Sequence, residues 1–320
     1  MSIVRTISLP ILGFRFRSKE VMSTPIFLQL MSEAWFEQGN PQVLAKFARV
    51  NKTWRDIMLS TLYRSLPKRK HQPPTASLRV NSFRVRVLTF KNGAGGQNTI
   101  PAMNNFHSNA IQFPNVVELN LRFYGADDAV VVKATDIMRT INGLRNLRLE
   151  DVAPLLDRND RWSNVLSTCR LSLSTLFLIN VLLNDDATGI VCNMPLLSTL
   201  NIASSQFGNS VVAMPSVLHL TLHPPSFTFS QQLRWFLCCP NLTSLRWDIA
   251  GASDTEVAVN SAALAGQTLP SLKVIHLENE ATLLSDSFVG LMLNTAGPQS
   301  SAPRPQLEAV TITDVRFWFR

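Results

Sequence analysis

One frame recurs through the last three quarters of the chain and restricts what it can fold into. It reads P-x-L-x-x-L-x-L. "FPNVVELNLRF" begins at Phe113, "INGLRNLRLED" at Ile141, "LSLSTLFLIN" at Leu171, "MPLLSTLNIAS" at Met194 and "MPSVLHLTLHP" at Met214. "CPNLTSLRWDI" follows from Cys239, "LPSLKVIHLEN" from Leu269 and "RPQLEAVTITD" from Arg304, and a fainter copy, "SFRVRVLTF", starts at Ser82. Aligning the copies puts Leu88, Leu119, Leu147, Leu176, Leu200, Leu220, Leu245, Ile275 and Val310 in one column. The closing L-x-L alternates at period two, as a half-buried strand does. The preceding proline suits a strand entry, where its missing N–H costs no ladder bond.

Between the frames lie helix-compatible returns. Leu233, Phe236 and Leu237 stand at i, i+3, i+4, as do Phe288, Leu291 and Met292; Ile137, Met138 and Ile141 form a similar group. A strand, a helical return and a parallel strand make a unit that cannot bury its apolar face alone, so stacked copies must share one core. Gaps of about 20 to 35 residues bracket the period of leucine-rich repeats. The expected fold class is therefore α/β. An irregular leucine-rich-repeat solenoid over residues 82–320 would carry parallel strands on a concave face and helices and loops on a convex one. The sequence stops just after a repeat, at "DVRFWFR", which reads as a fragment or an unusual cap.

Residues 24–66 do not obey the frame. Phe27, Leu30, Met31, Ala34 and Trp35 form a helical stripe that ends near Gly39. Val43, Leu44, Phe47, Ala48 and Val50 form a second after Pro41. Asn51 can cap a third, lined by Trp54, Ile57, Met58 and Leu62. Three short helices make a domain that is marginal alone and gains stability by burying its apolar face on a partner. Residues 1–80 hold 13 Lys/Arg against four acids, whereas the remaining 240 hold 17 against 18. The basic character thus belongs to the N-terminal quarter and favours an acidic partner.

"LAKFARVNKTWRDIMLSTLYRSL", Leu44 to Leu66, resembles the second half of an F-box. The matching elements are Leu44, Val50, Asn51, Lys52, Trp54 and Arg55, closed by Tyr63-Arg64-Ser65-Leu66. The opening, Thr24-Pro25-Ile26-Phe27-Leu28, keeps the family's proline and lacks its leucine and acid. An F-box followed by leucine-rich repeats is similar to the large fungal class of F-box/leucine-rich-repeat proteins. That resemblance implies a substrate receptor of an SCF-type E3 ubiquitin ligase. The box would dock a Skp-type adaptor and through it a cullin–RING ligase, and the repeats would hold an unknown target protein. The adaptor contacts it implies are Pro25, Ile26, Leu28, Leu30, Leu44, Val50 and Trp54, although Trp54 also suits the interior of a three-helix domain.

In such a solenoid the residues flanking each L-x-L core face outward. They include Glu118, Asn120, Asn146, Glu150, Thr221, Asp248, Glu278, Thr311 and Thr313. Among them the candidate substrate contacts are Arg122, Arg148, Phe177, Asn201, His219, His223, Arg246 and His276. His219 and His223 share a strand at i, i+4, about 13 Å apart, too far to hold one ion. No cofactor, metal or catalytic set is expected: no Ser–His–Asp or Cys–His arrangement stands out, and the Gly-rich "KNGAGGQNT" at Lys91 lacks a phosphate-loop pattern. No apolar run reaches the roughly 18–20 residues of a membrane helix. Cys169, Cys192, Cys238 and Cys239 form no CxxC pair, so a reducing compartment, cytoplasmic or nuclear, is expected.

The expected organisation is an N-terminal tail over 1–23, an F-box-like domain over 24–66, a linker over 67–81 and the solenoid over 82–320. "PKRKHQPP" belongs to that linker. Two other functions fit the residues. One is a leucine-rich-repeat scaffold with a degenerate box and no ligase role. The other is a nucleic-acid binder using the basic N-terminal helices, against which stands the lack of basic-aromatic interleaving.

Overall fold

The structure is a computed structural model. It describes residues 28–33, 44–46, 48–49, 52–66, 75–92, 100–108, 110–123, 128–150, 160–205, 212–223, 229–249, 269–279 and 308–314. The chain divides into two compact units, Met1–Leu88 and Thr89–Arg320.

In the second unit the aligned frames become strands. They are β3 (Glu118–Phe123), β4 (Asn146–Glu150), β5 (Thr175–Ile179), β6 (Thr199–Ala203), β7 (His219–His223), β8 (Ser244–Asp248), β9 (Val274–Asn279) and β10 (Ala309–Asp314). Each pairs in parallel with the next. The register follows the sequence frame: Leu119, Leu147, Leu176, Leu200, Leu220, Leu245, Ile275 and Val310 are successive partners. A second column runs Leu121, Leu149, Leu178, Ile202, Leu222, Trp247 and Leu277. Both columns are buried, except that Val310, expected inside, is 42% exposed on β10.

A regular backbone device joins the repeats just ahead of the strands. One carbonyl accepts two successive N–H groups from the next repeat. Arg145 O takes those of Ser174 and Thr175, Ser174 O those of Ser198 and Thr199, and Ser198 O those of Leu218 and His219. The same pattern continues from Leu218 O, Thr243 O and Lys273 O. The frame proline sits slightly upstream of the expected strand entry. Pro114, Pro195, Pro215, Pro240 and Pro270 each occupy the second position of a turn. That turn is closed by bonds such as Val217 N–H to Met214 O (3.2 Å) and Leu272 N–H to Leu269 O (3.1 Å). The fixed φ of proline suits that position.

The returns are helical. They comprise α3 (Ile100–Ser108), α4 (Asp128–Arg139), α5 (Asp160–Cys169), α6 (Asp185–Cys192) and α7 (Phe229–Leu237), while α1 (Lys52–Tyr63) and α2 (Thr75–Asn81) belong to the first unit. Leu233 and Phe236 are buried as expected, while Leu237 is half-buried. Ile137 and Met138 are buried on α4, and Ile141 is buried just past its end. Phe288, Leu291 and Met292 lie outside the described residues. α7 covers β8 directly: the Trp247 indole N–H donates to Gln232 Oε1 at 2.5 Å, both side chains buried, and Phe236 packs on the same ring. α3 does the same earlier, where Phe106 meets Phe90 and Phe113 edge-on.

In the first unit, residues 28–33 and 44–46 are helical and α1 spans Lys52–Tyr63. Ser32 Oγ and Thr61 Oγ1 form a buried hydrogen bond of 2.6 Å between two of these segments. Leu28 and Ser32, one helical turn apart, face inward, so Leu30 points out at 59% exposure rather than lying on a buried stripe. On α1, Met58 and Leu62 are buried and Ile57 and Trp54 half-buried.

The expected linker needs correction. Residues 75–81 form α2 (Thr75–Asn81), with Leu78 buried, and Tyr63 Oη shares a 2.5 Å hydrogen bond with Ser77 Oγ. Residues 67–74, including the basic "PKRKHQPP" stretch, lie outside the described residues. Ser65 and Leu66, read from sequence as the close of the box, form a short strand β1 (Ser65–Leu66). It pairs in parallel with Val87 and Leu88 of β2 (Val87–Asn92). Arg64 O accepts from Arg86 and Val87, which is the double-acceptance pattern of the later repeats. Repeat-like backbone therefore begins upstream of residue 82.

Candidate functional site: the outward face of the parallel sheet

Alternation at period two puts three columns of side chains on the face opposite the core. The middle column is Asn120, Arg148, Phe177, Asn201, Thr221, Arg246, His276 and Thr311, in register from strand to strand. The column at the strand ends is Arg122, Glu150, Ile179, Ala203 and His223, then Asp248 and Glu278. The column at the strand starts carries Glu118, Asn146, Thr175, Thr199, His219, Ser244, Val274 and Ala309. All eight candidate contacts taken from the sequence thus share one face. His219 and His223 are four residues apart in different columns, as expected.

Their electrostatics differ from a row of open cations. Arg122 Nε lies 3.2 Å from Glu150 Oε1, and Arg148 Nη2 donates to Glu150 Oε2 at 3.4 Å. Arg246 Nη2 donates to Glu278 Oε1 at 2.5 Å. His276 Nε2 is 2.7 Å from the same oxygen. Each candidate arginine is therefore matched by a carboxylate from its own or a neighbouring strand. Burial alone would raise the Glu278 pKa. Hydrogen bonds from His276 and Arg246 and the charge of Arg246 outweigh it and hold the carboxyl below its ordinary value. Glu278 accordingly stays ionised through neutral pH.

These pairs form two charged clusters, one on β3–β4 and one on β8–β9. Between them lies an uncharged stretch of Phe177, Asn201, Thr221, Ile179 and Ala203. The Arg148 guanidinium stands 6.0 Å from the Phe177 ring centroid, the outer limit of a cation–π contact. Phe177 is half-buried among polar neighbours.

Sequence reasoning named Asp248 and Glu278 as outward residues without selecting them. In the structure His223, Asp248 and Glu278 converge, with one ligand-type atom of each within 4.8 Å of the others. The repeat frame carried the clue, because aligned columns are spatial neighbours at the strand spacing of about 4.8 Å.

The residues assigned to adaptor contact are distributed differently. Leu28 and Leu44 are fully buried and so belong to the core of the first unit rather than to a docking surface. Leu30 is exposed and Trp54 half-buried. Pro25, Ile26 and Val50 lie outside the described residues. Among the described residues, no helix is long and apolar enough to cross a membrane. The chain matches no protein-family model and no curated protein.

Proposed function

We propose that the chain is a non-catalytic adaptor of an SCF-type ubiquitin ligase. Its F-box-like first unit docks a Skp-type adaptor protein, and its leucine-rich-repeat sheet holds a target protein. The observation that carries this reading is the outward face itself. Eight parallel strands keep three side-chain columns in register, an extended surface suited to a protein partner rather than a small molecule. The Trp54-centred pattern upstream supplies the link to a ligase. Catalytic help is positional: tethering raises the effective concentration of target near the conjugating enzyme, and no residue here acts as acid or base.

Burial of Leu28 and Leu44 favours a second reading, a repeat scaffold that no longer binds a ligase adaptor. A pull-down of the purified full chain with the Skp-type adaptor separates the two. Leu30→Asp is the informative variant, since Leu28→Asp would break the core before it reported on docking. The ligase reading expects capture by the wild type and its loss in Leu30→Asp. No capture by the wild type leaves the scaffold reading standing.

A further inference from the structure

We propose that His223, Asp248 and Glu278 form a binding site for a divalent transition-metal ion, zinc being the best fit. The three residues come from the ends of β7, β8 and β9, consecutive strands of the ladder. His223 Nδ1 lies 3.9 Å from Asp248 Oδ2. That is too long for a hydrogen bond, and a few tenths of an ångström more than the roughly 3.3–3.6 Å between two tetrahedral ligands at about 2.0–2.2 Å from one ion, so binding draws the two side chains slightly together. Glu278 completes the set. One of its carboxylate oxygens lies within 4.8 Å of the other two ligand atoms, and its Oε1 receives both Arg246 and His276. His276 and Arg246 then serve as outer-shell groups that fix the orientation of a ligating carboxylate.

One imidazole and two carboxylates suit zinc or a neighbouring transition metal, whereas calcium and magnesium prefer all-oxygen shells. The three side chains are half-buried, at 31%, 17% and 24% exposure, so an ion can enter from solvent. Three protein ligands leave a fourth tetrahedral position open. The positive charge of Arg246 beside the site opposes a cation and points to micromolar rather than nanomolar affinity. His107 and Asp136 are also 3.9 Å apart, but among the described residues no third ligand joins them. The inference does not depend on the ligase reading.

The test is calorimetric titration of the metal-stripped full chain with zinc chloride, repeated with magnesium and calcium. One equivalent of zinc is expected to bind, with neither magnesium nor calcium competing at equal concentration. His223→Ala and Asp248→Asn should each weaken binding about tenfold or more, in proportion to the loss of a ligand, while His107→Ala leaves it unchanged. Circular dichroism establishes that each variant is folded. If His223→Ala does not fold, Asp248→Asn and the cobalt(II) absorption spectrum of the wild type decide. Absence of zinc binding, equal binding by the folded ligand variants, or thiolate charge-transfer bands from cobalt on the cysteines would overturn the site.

Discussion

At the scale of single residues, the four cysteines show how placement governs chemistry. All are free thiols; Cys169, Cys192 and Cys239 are buried and Cys238 half-buried. Burial raises the pKa of each, taking Cys169 from 9.0 to about 11 and Cys239 higher still. A raised folded-state value means the neutral thiol is favoured by folding. The associated stability is complete below pH 9 and is lost as pH rises through the folded value. Native alkylation at neutral pH should therefore label Cys238 first and slowly, with a rate that climbs with pH. Mass spectrometry of iodoacetamide-treated protein checks this. Faster labelling of Cys239 than of Cys238 would contradict the burial pattern.

At the scale of elements, the strand ladder rests on its inward leucines. Leu200→Ala on β6 should cost about 2–5 kcal/mol, because a filled position between Leu176 and Leu220 would become a cavity. Its outward neighbour Asn201→Ala should change stability by less than about 0.5 kcal/mol. Urea denaturation of both variants measures the contrast. A small loss for Leu200→Ala would mean that the repeats relax around the gap. This inside-outside order was legible in the sequence because the frame fixes both period and register, so Leu119 to Val310 could be aligned without a structure. The rest was less accessible for physical reasons. Thr75–Asn81 is a seven-residue helix containing Val and Asn, whose weak propensity cannot announce it beside Pro73 and Pro74. Ser65–Leu66 is too short for any period to register. Leu30 and Leu28 both fit a helical stripe; a buried hydrogen bond between Ser32 and Thr61, 29 residues apart, determines which one faces inward. Ser204, just past β6, takes a left-handed φ of 49° that nothing in its residue type suggests. The Arg122–Glu150 and Arg246–Glu278 pairs join residues in different repeats, so they emerge only after the columns are set side by side.

At the scale of the whole molecule, the proposed adaptor assigns its two tasks to different units. Leu30 belongs to Met1–Leu88 and Phe177 to Thr89–Arg320. Substitutions at sites with no shared partners act independently, so the two tasks should separate genetically. Phe177 is the better probe of the outward face. The arginines on either side of it are neutralised within the sheet, whereas a half-buried aromatic ring in an uncharged stretch is the kind of residue that anchors a protein interface. Phe177→Asp should therefore remove target proteins from affinity-purified complexes by about tenfold or more, the cost of a single interface anchor, while leaving the Skp-type adaptor bound. Leu30→Asp should do the reverse. Quantitative mass spectrometry of complexes purified after proteasome inhibition reads both changes at once, against wild type. Loss of both partners in either folded variant would tie the two activities to one surface and defeat the division of labour. Retention of all partners in Phe177→Asp would remove the outward face as the target site, leaving adaptor docking to be judged on Leu30 alone.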